Sequence, residues 1–291
     1  VDPLFSDEPE AASFDRTLHW IKDWFNVLPL PEAAALLELG KLPARALCIT
    51  FDDGYSDNES VALPILQRHG LTATFFVATG FIGADKPMWN DAIVEAIRNS
   101  PASMLDLRGC GLSRYSIGSL VERRNAIDAL LRVVMHMLPD ARRDAVARIV
   151  DAAGGMPPLR LMMSEEQIRN LHRAGMTVGA HTVTHPILAR LDERAAMHEI
   201  AASKAQLEQI LGERVDVFAY PSGRPGRDYT AAHPLMVRRC GFRAAVSTAW
   251  GTARHGADLF QLPRFTPWDR APWPFAARLA INMLRAKYAR V

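Results

Sequence analysis

Ala46-Leu47-Cys48-Ile49-Thr50-Phe51-Asp52-Asp53-Gly54-Tyr55 is the stretch on which the fold turns. Its first six residues form a short, continuous apolar run without polar alternation. Such a run suits a β-strand covered on both faces, as in a parallel sheet. Two acids and a glycine follow at once, and Gly54 lets the chain turn directly after the carboxylates. In parallel α/β folds, functional sites gather where strands end and helices have not yet begun, which is where this pair stands.

The flanks support that reading. Upstream, Phe14, Leu18, Ile21, Trp24 and Phe25 recur at helical spacing, and Pro31 opens a second helix through Glu38 with Gly40 as its stop. Downstream, Asp57 and Asn58 can cap a helix that runs to His69 and ends at Gly70. Thr72 to Ala78 is a second strand. Ser164-Glu165-Glu166-Gln167 has the form of a capping box for a helix stopped by Gly175. Strand Met176–Ala180, helix Asp192–Leu211, strand Val215–Tyr220, helix Ala231–Cys240 and strand Phe242–Ser247 follow in alternation. Alternating strands and helices imply right-handed parallel crossovers and an α/β fold, either a barrel or an open doubly wound sheet. Between about 99 and 161 the pattern becomes helical, with helices expected over Ser119–Met137 and Asp140–Ala153 and no convincing strand.

Composition narrows the partners. Across 291 residues, 34 Lys and Arg face 32 Asp and Glu, giving a net charge of +2, so there is no basic excess suited to nucleic acid. With 49% hydrophobic and 23% charged residues, the chain is expected to be globular. The uncharged run Leu71–Ala84 is too short to cross a bilayer. Three widely spaced cysteines (Cys48, Cys110, Cys240) suggest buried thiols in place of a disulfide framework or a cysteine zinc site. No leader-like segment is evident, although the chain opens Val1-Asp2-Pro3. The expectation is a soluble protein, in the cytoplasm before the periplasm.

Three strand-end segments carry possible chemistry. Adjacent carboxylates such as Asp52 and Asp53 repel unless a cation or a proton separates their roles. His181 and His185, in His181-Thr182-Val183-Thr184-His185-Pro186, can reach one metal, and Pro186 favours a loop over a helix there. Two imidazoles with one carboxylate suit Zn²⁺, or Fe, Co or Mn, and three protein ligands leave room for water and substrate. Phe218-Ala219-Tyr220-Pro221-Ser222-Gly223 is a turn whose backbone N–H groups can face a developing oxyanion. Trp89-Asn90-Asp91 and Trp250 offer an aromatic face and polar groups of the kind that line sugar subsites. Phe275 to Val291 reads as a C-terminal helix with an apolar stripe and a basic face, and Pro267–Pro274 as the strap leading to it.

With these segments in order, the sequence resembles the polysaccharide deacetylases, the NodB-homology group also called carbohydrate esterase family 4. Thr50-Phe51-Asp52-Asp53-Gly54 matches the family's first motif and His181-Thr182-Val183-Thr184-His185 its second. Tyr220-Pro221-Ser222-Gly223 looks like a variant of the third. The likeness runs from about Leu18 to Phe265 and is poorest over 99–161. It implies a distorted (β/α) barrel with fewer than eight regular repeats, as a single domain over 1–291. A helical insertion at about 99–161 and a C-terminal helix at about 275–291 accompany it. It also implies metal-dependent removal of acetyl from N-acetylated sugars of a polysaccharide or glycan precursor.

Carried over residue by residue, the resemblance makes Asp53, His181 and His185 the ligands of a divalent transition metal, zinc first. Asp52 becomes the base toward a metal-activated water. Tyr220, Pro221 and Ser222 become substrate-binding residues, and Trp89, Asn90 and Trp250 are added to them on their residue types alone. Two departures matter. Ala219 stands where the family's third motif has an arginine, and Arg264 is the candidate to orient Asp52 instead. The late segment Leu262-Pro263-Arg264 lacks the family's histidine, so the acid for the departing amine is sought at His255, at His233 or in Asp52 returning its own proton. The alternatives are a hydrolase of a non-sugar C–N bond on the same scaffold, or a glycan-binding protein without turnover.

Overall fold

The structure is a computed structural model that describes residues 2–5, 10–84, 87–157, 159–266, 269–285 and 287–291. The chain divides into two compact units: Ala11–Gly83 with Met162–Val291, and Val1–Glu10 with Ala84–Leu161. In chain order the larger unit begins with α1 (Ala11–Trp24), β1 (Asn26–Val27), α2 (Leu30–Glu38), β2 (Ala46–Leu47) and β3 (Thr50–Phe51). A π-helical turn at Asn58–Ala62 runs into α3 (Leu63–His69), which Gly70 ends with φ +66°, and β4 (Thr74–Val77) follows. The smaller unit supplies α4 (Trp89–Asn99), β5 (Met104–Asp106), β6 (Arg114–Ser116), α5 (Leu120–Val134) and α6 (Pro139–Ala152). The larger unit resumes with α7 (Glu165–Arg173), β7 (Thr177–Ala180), α8 (Glu193–Leu211), β8 (Val217–Ala219), α9 (Ala232–Arg239), β9 (Ala244–Val246) and α10 (Pro272–Leu284).

Five strands of the larger unit form a parallel sheet in the order β3-β4-β7-β8-β9. That order decides between the two architectures left open by the sequence. A doubly wound sheet reverses direction at a switch point, whereas here each crossover adds its strand on the same side, as in a barrel. The sheet curls into a half-barrel with helices around it. Two short pairings stand outside this sheet. β1 lies parallel to β2, and Leu262 bridges Val246 in parallel. The apolar run Ala46–Phe51 is therefore two short strands and not one, the first half bonding toward β1 and the second toward β4. β1 has only two residues, too few to show a period.

Side chains alternate across the sheet with the strand period of two. Phe75, Val77, Val178, Ala180, Phe218 and Ala245 join the core built with α1, α3, α7, α8 and α9. Phe76, Val217, Ala219, Ala244 and Val246 turn to the opposite face, where Leu262 and Leu30, Ala34 and Leu37 of α2 cover them. Close packing dictates a glycine here: a Cβ at Gly179 in β7 would lie 2.5 Å from the Phe76 ring. α7 carries its expected capping box, with Ser164 Oγ accepting from Gln167 N and the Gln167 side chain accepting from Ser164 N.

The smaller unit departs from expectation. It begins at Ala84, takes in α4, and contains an antiparallel β5–β6 hairpin pairing Leu105 with Tyr115, where no strand is expected. Its strands have three residues each, with one inward side chain apiece, below what periodicity reveals. Its core gathers Ile93, Ile97, Leu105, Ile127, Leu130 and Ile149. The Arg123 guanidinium donates to the carbonyls of Ile97, Arg98 and Ser100, closing the end of α4. The C-terminal helix also shifts: α10 spans Pro272–Leu284, not 275–291, because Pro272 presets its first turn. Positions 267–268 of the expected strap lie outside the described residues.

Candidate active site

Four strand ends build the site. Asp52 and Asp53 follow β3, and His181 to His185 follow β7. Ser222 lies just beyond β8, and Arg264 follows the Leu262 bridge beside β9. Left-handed backbone marks these ends: φ is +74° at Asp53, +66° at Thr182, +51° at His185 and +57° at Ser222. Such conformations are strained for residues with a Cβ and persist only where neighbours hold them. Here Ala78 N donates to Asp53 O at 3.2 Å, Met163 N to Gly54 O at 2.9 Å and Thr79 N to Thr182 O at 3.0 Å. Gly54, at φ +91°, has no room for a side chain, since a Cβ would lie 2.9 Å from Val77 Cγ1.

Asp53, His181 and His185 converge. Asp53 Oδ1 lies 3.5 Å from His181 Nε2 and 3.3 Å from His185 Nε2, and the two imidazole centroids are 4.8 Å apart. His181 is buried, and its Nδ1 lies 2.8 Å from the Ala219 carbonyl. A carbonyl only accepts, so Nδ1 carries a proton and a neutral His181 turns its Nε2 lone pair toward the carboxylate. Asp53 Oδ1 is itself buried and has no hydrogen-bond donor. Lone pairs facing one another in a buried place call for a positive charge between them.

The spacing fits a cation. Ligand atoms about 2.1 Å from a tetrahedral ion lie roughly 3.4 Å from one another. The residues present therefore suit a three-ligand metal. Burial works against ionising Asp53, and His185 and His181 outweigh it, so its pKa is lowered. Burial disfavours protonated His181, yet Asp52 and Asp53 raise its pKa overall. The first shift keeps Asp53 anionic and the second favours positive charge beside it, at His181.

Asp52 stands apart from this group because Arg264 holds it. The guanidinium grips both carboxylate oxygens, Nη1 to Oδ1 at 2.6 Å and Nη2 to Oδ2 at 2.8 Å. Its Nε donates to Ser247 O at 3.1 Å. Period-two spacing explains the placement: Leu262 faces the inner core, so Arg264, two residues on, emerges on the same side. The arginine absent from β8 at Ala219 thus has a counterpart from the neighbouring strand end. Burial would raise the pKa of Asp52, and Arg264 and His181 override it to about 2.

Sequence reasoning misses Glu199 in α8. Its carboxylate accepts from Val183 N at 2.8 Å, Thr184 N at 2.8 Å and Thr184 Oγ1 at 2.7 Å. It clamps the loop between the two imidazoles. The available signal is a carboxylate three residues after buried Ala196 and beside buried Ile200, on the packed side of the helix.

The other expected residues scatter. Tyr220 is fully buried, stacked on Tyr229 with centroids 4.0 Å apart, and its hydroxyl donates to Phe260 O. Its ring belongs to the core, and burial with its apolar neighbours corrects the reading of it as a substrate contact. Pro221 is also buried, whereas Ser222 is half-buried. Trp250 is 40% exposed, and its neighbour Ala249 accepts from Arg264 N. Trp89 and Asn90 open α4 in the smaller unit, where Arg142 lies 5.1 Å over the Trp89 ring. His233 Nδ1 accepts from Thr230 N in the turn that enters α9, and His255 Nδ1 lies 3.3 Å from Leu37 O.

The chain is similar to known proteins in sequence and in fold. The family model for polysaccharide deacetylase matches residues 40–245. YxkH of Bacillus subtilis (strain 168), which carries a polysaccharide deacetylase name, is 21% identical over 253 residues, 86% of this chain and 62% of that protein. The poly-beta-1,6-N-acetyl-D-glucosamine N-deacetylase of Staphylococcus aureus (strain N315) is 32% identical over 75 residues, 25% of this chain and 26% of it. The chain thus spans less than two thirds of the length of either relative. Among solved structures, IcaB from Ammonifex degensii superposes with a TM-score of 0.60 at 20% identity, covering 94% of this chain and 89% of that one. The Streptococcus pyogenes deacetylase PplD, in complex with acetate, gives 0.57 at 22% identity, with 88% and 80% covered. These likenesses establish a shared fold. The matched family region takes in the Asp52–Asp53 pair, both histidines and the β8 turn, and on that ground the chain belongs to the polysaccharide deacetylase family.

Proposed function

We propose that this chain removes acetyl groups from N-acetylated sugar units of a glycan. The observation that carries the reading is the division of labour between adjacent acids: Asp53 joins two imidazoles, while Arg264 keeps Asp52 out of that group. Asp53, His181 and His185 would hold a divalent transition metal, with zinc favoured by the donor set. When bound, such an ion lowers the pKa of a water and polarises an acyl oxygen.

The remaining work falls to the chain. Asp52, ionised at neutral pH and about a third exposed, takes a proton from the attacking water. Arg264 fixes its direction through two hydrogen bonds. A backbone N–H beside Ser222 faces the developing oxyanion. His233 is engaged by Thr230 N and His255 lies against Leu37 O, which leaves Asp52 to return the proton to the departing amine. Its low pKa suits giving the proton up. Trp250, exposed beside the segment carrying Arg264, supplies an aromatic face for a pyranose ring. The S. aureus relative's named substrate, a polymer of N-acetylglucosamine, supports this substrate class.

Acetate release from an N-acetylglucosamine oligomer tests the reading. The expected result is release that a chelator abolishes and zinc restores, and that Asp52→Asn lowers by about 10² to 10⁴-fold. Release indifferent to Asp52→Asn, or none from any N-acetylated oligomer, would overturn it.

A further inference from the structure

α10 presents an apolar face outward. Two residues seven apart anchor the helix to the larger unit. Phe275 is 1% exposed and packs on Trp20 and Trp24, with centroids 5.6 and 6.2 Å away. Asn282 is 6% exposed and its Nδ2 donates to Gly251 O at 3.1 Å. With that face inward, the helical period sends Trp273, Ala277, Ala280, Ile281 and Leu284 the other way. Trp273 is 83% exposed, Ile281 57% and Leu284 82%, and both alanines are exposed. An ordinary surface helix places its apolar stripe on the core and polar residues outside; this one is apolar inside, at Phe275 and Leu279, and apolar outside as well.

Charge indicates what covers the stripe. From Arg270 to Val291 the sequence holds no Asp or Glu, and it carries Arg270, Arg278, Arg285, Lys287 and Arg290. Asp269 engages Arg278, whereas Arg285, Lys287 and Arg290 are exposed just past the helix. The segment beyond α10 is tied back to its unit, Val291 N donating to Gln261 Oε1 at 2.8 Å, so these cations stay close to the stripe. An apolar helix face beside exposed cations, with the neighbouring Asp269 carboxylate taken up by Arg278, matches a surface that is apolar below and anionic above. A second protein copy carrying the same cations would face them with like charge.

We propose that α10 seats this protein on an anionic lipid surface, its apolar stripe in the acyl–headgroup boundary and Arg285, Lys287 and Arg290 on the headgroups. No helix among the described residues is long and apolar enough to cross a membrane, and α10 would lie along the surface. The proposal does not rest on the reaction, and its test needs no turnover.

Co-sedimentation with vesicles decides it. Vesicles of phosphatidylcholine with roughly a third phosphatidylglycerol should carry the protein down at low salt, and pure phosphatidylcholine far less. Salt near 0.5 M should weaken the binding, since screening shortens to a few ångströms. Trp273→Gln with Leu284→Gln, both at exposed positions, should weaken binding at least about 10-fold while circular dichroism stays unchanged. Absence of binding to the anionic vesicles would overturn the proposal, as would equal binding by the variant. A lipid-free dimer that the same substitutions dissociate would also overturn it, assigning the stripe to a second copy.

Discussion

At the scale of single residues, the account turns on Asp52 and the guanidinium that grips it. Burial alone pushes this carboxyl toward the neutral acid, and Arg264 with His181 reverses that push. A depressed pKa means that the ionised acid, and the stability of its ion pair, is complete above the ordinary carboxylate range and is lost as pH falls toward about 2. Arg264→Met removes the main opposing charge and leaves burial in command. The acid limb of the kcat–pH profile should therefore move to higher pH, and kcat should fall by about 10²-fold or more, with metal content unchanged. An acid limb at the wild-type position would refute the pairing's role. Arg264 is legible in the sequence only as a substitute, because Ala219 leaves Asp52 without its expected partner and Leu262-Pro263-Arg264 is the nearest late strand-end arginine.

At the scale of elements, each strand end delivers one part of the site and a neighbouring element braces it. The histidine loop is braced by α8 through Glu199, whose carboxylate accepts two backbone N–H groups and one hydroxyl. Glu199→Ala removes both acceptor oxygens, so two backbone N–H groups and the Thr184 hydroxyl lose their partner. The expected outcome is a cation affinity weaker by about 10-fold, read by chelator competition, with helix content retained. Unchanged affinity would show that the loop holds itself. The elements themselves are largely visible in the sequence where they are long or capped. α8 begins at the cap of Asp192 and ends at Gly212 with φ +72°, and α7 keeps its capping box. β1, β5 and β6 are invisible because, unlike the equally short and fully buried β8 and β9, they are partly exposed and form no continuous apolar run. Glu199 is missed because its role depends on a loop 15 and 16 residues back in the chain, which only folding brings alongside.

At the scale of the whole molecule, sequential strand order and four convergent strand ends explain why distant residues form one site. Parallel strands all point the same way, so residues following β3, β7, β8 and β9 emerge on a common rim. The barrel-type scaffold and the Asp–His–His grouping can be inferred from the residues because a short, largely apolar run precedes each motif. The fate of Tyr220 cannot, since a tyrosine after a strand reads alike whether it turns outward or stacks on Tyr229 inside. The outward stripe of α10 is equally hidden, because periodicity shows that a stripe exists and not which way it faces. The most direct measurement is metal content by mass spectrometry after stripping with chelator and reloading with zinc. Wild type and Asp52→Asn should each hold about one ion per chain, and His181→Ala and Asp53→Ala should hold almost none. Equal loading of all four proteins, or loss of the ion from Asp52→Asn alone, would contradict a site made by Asp53, His181 and His185.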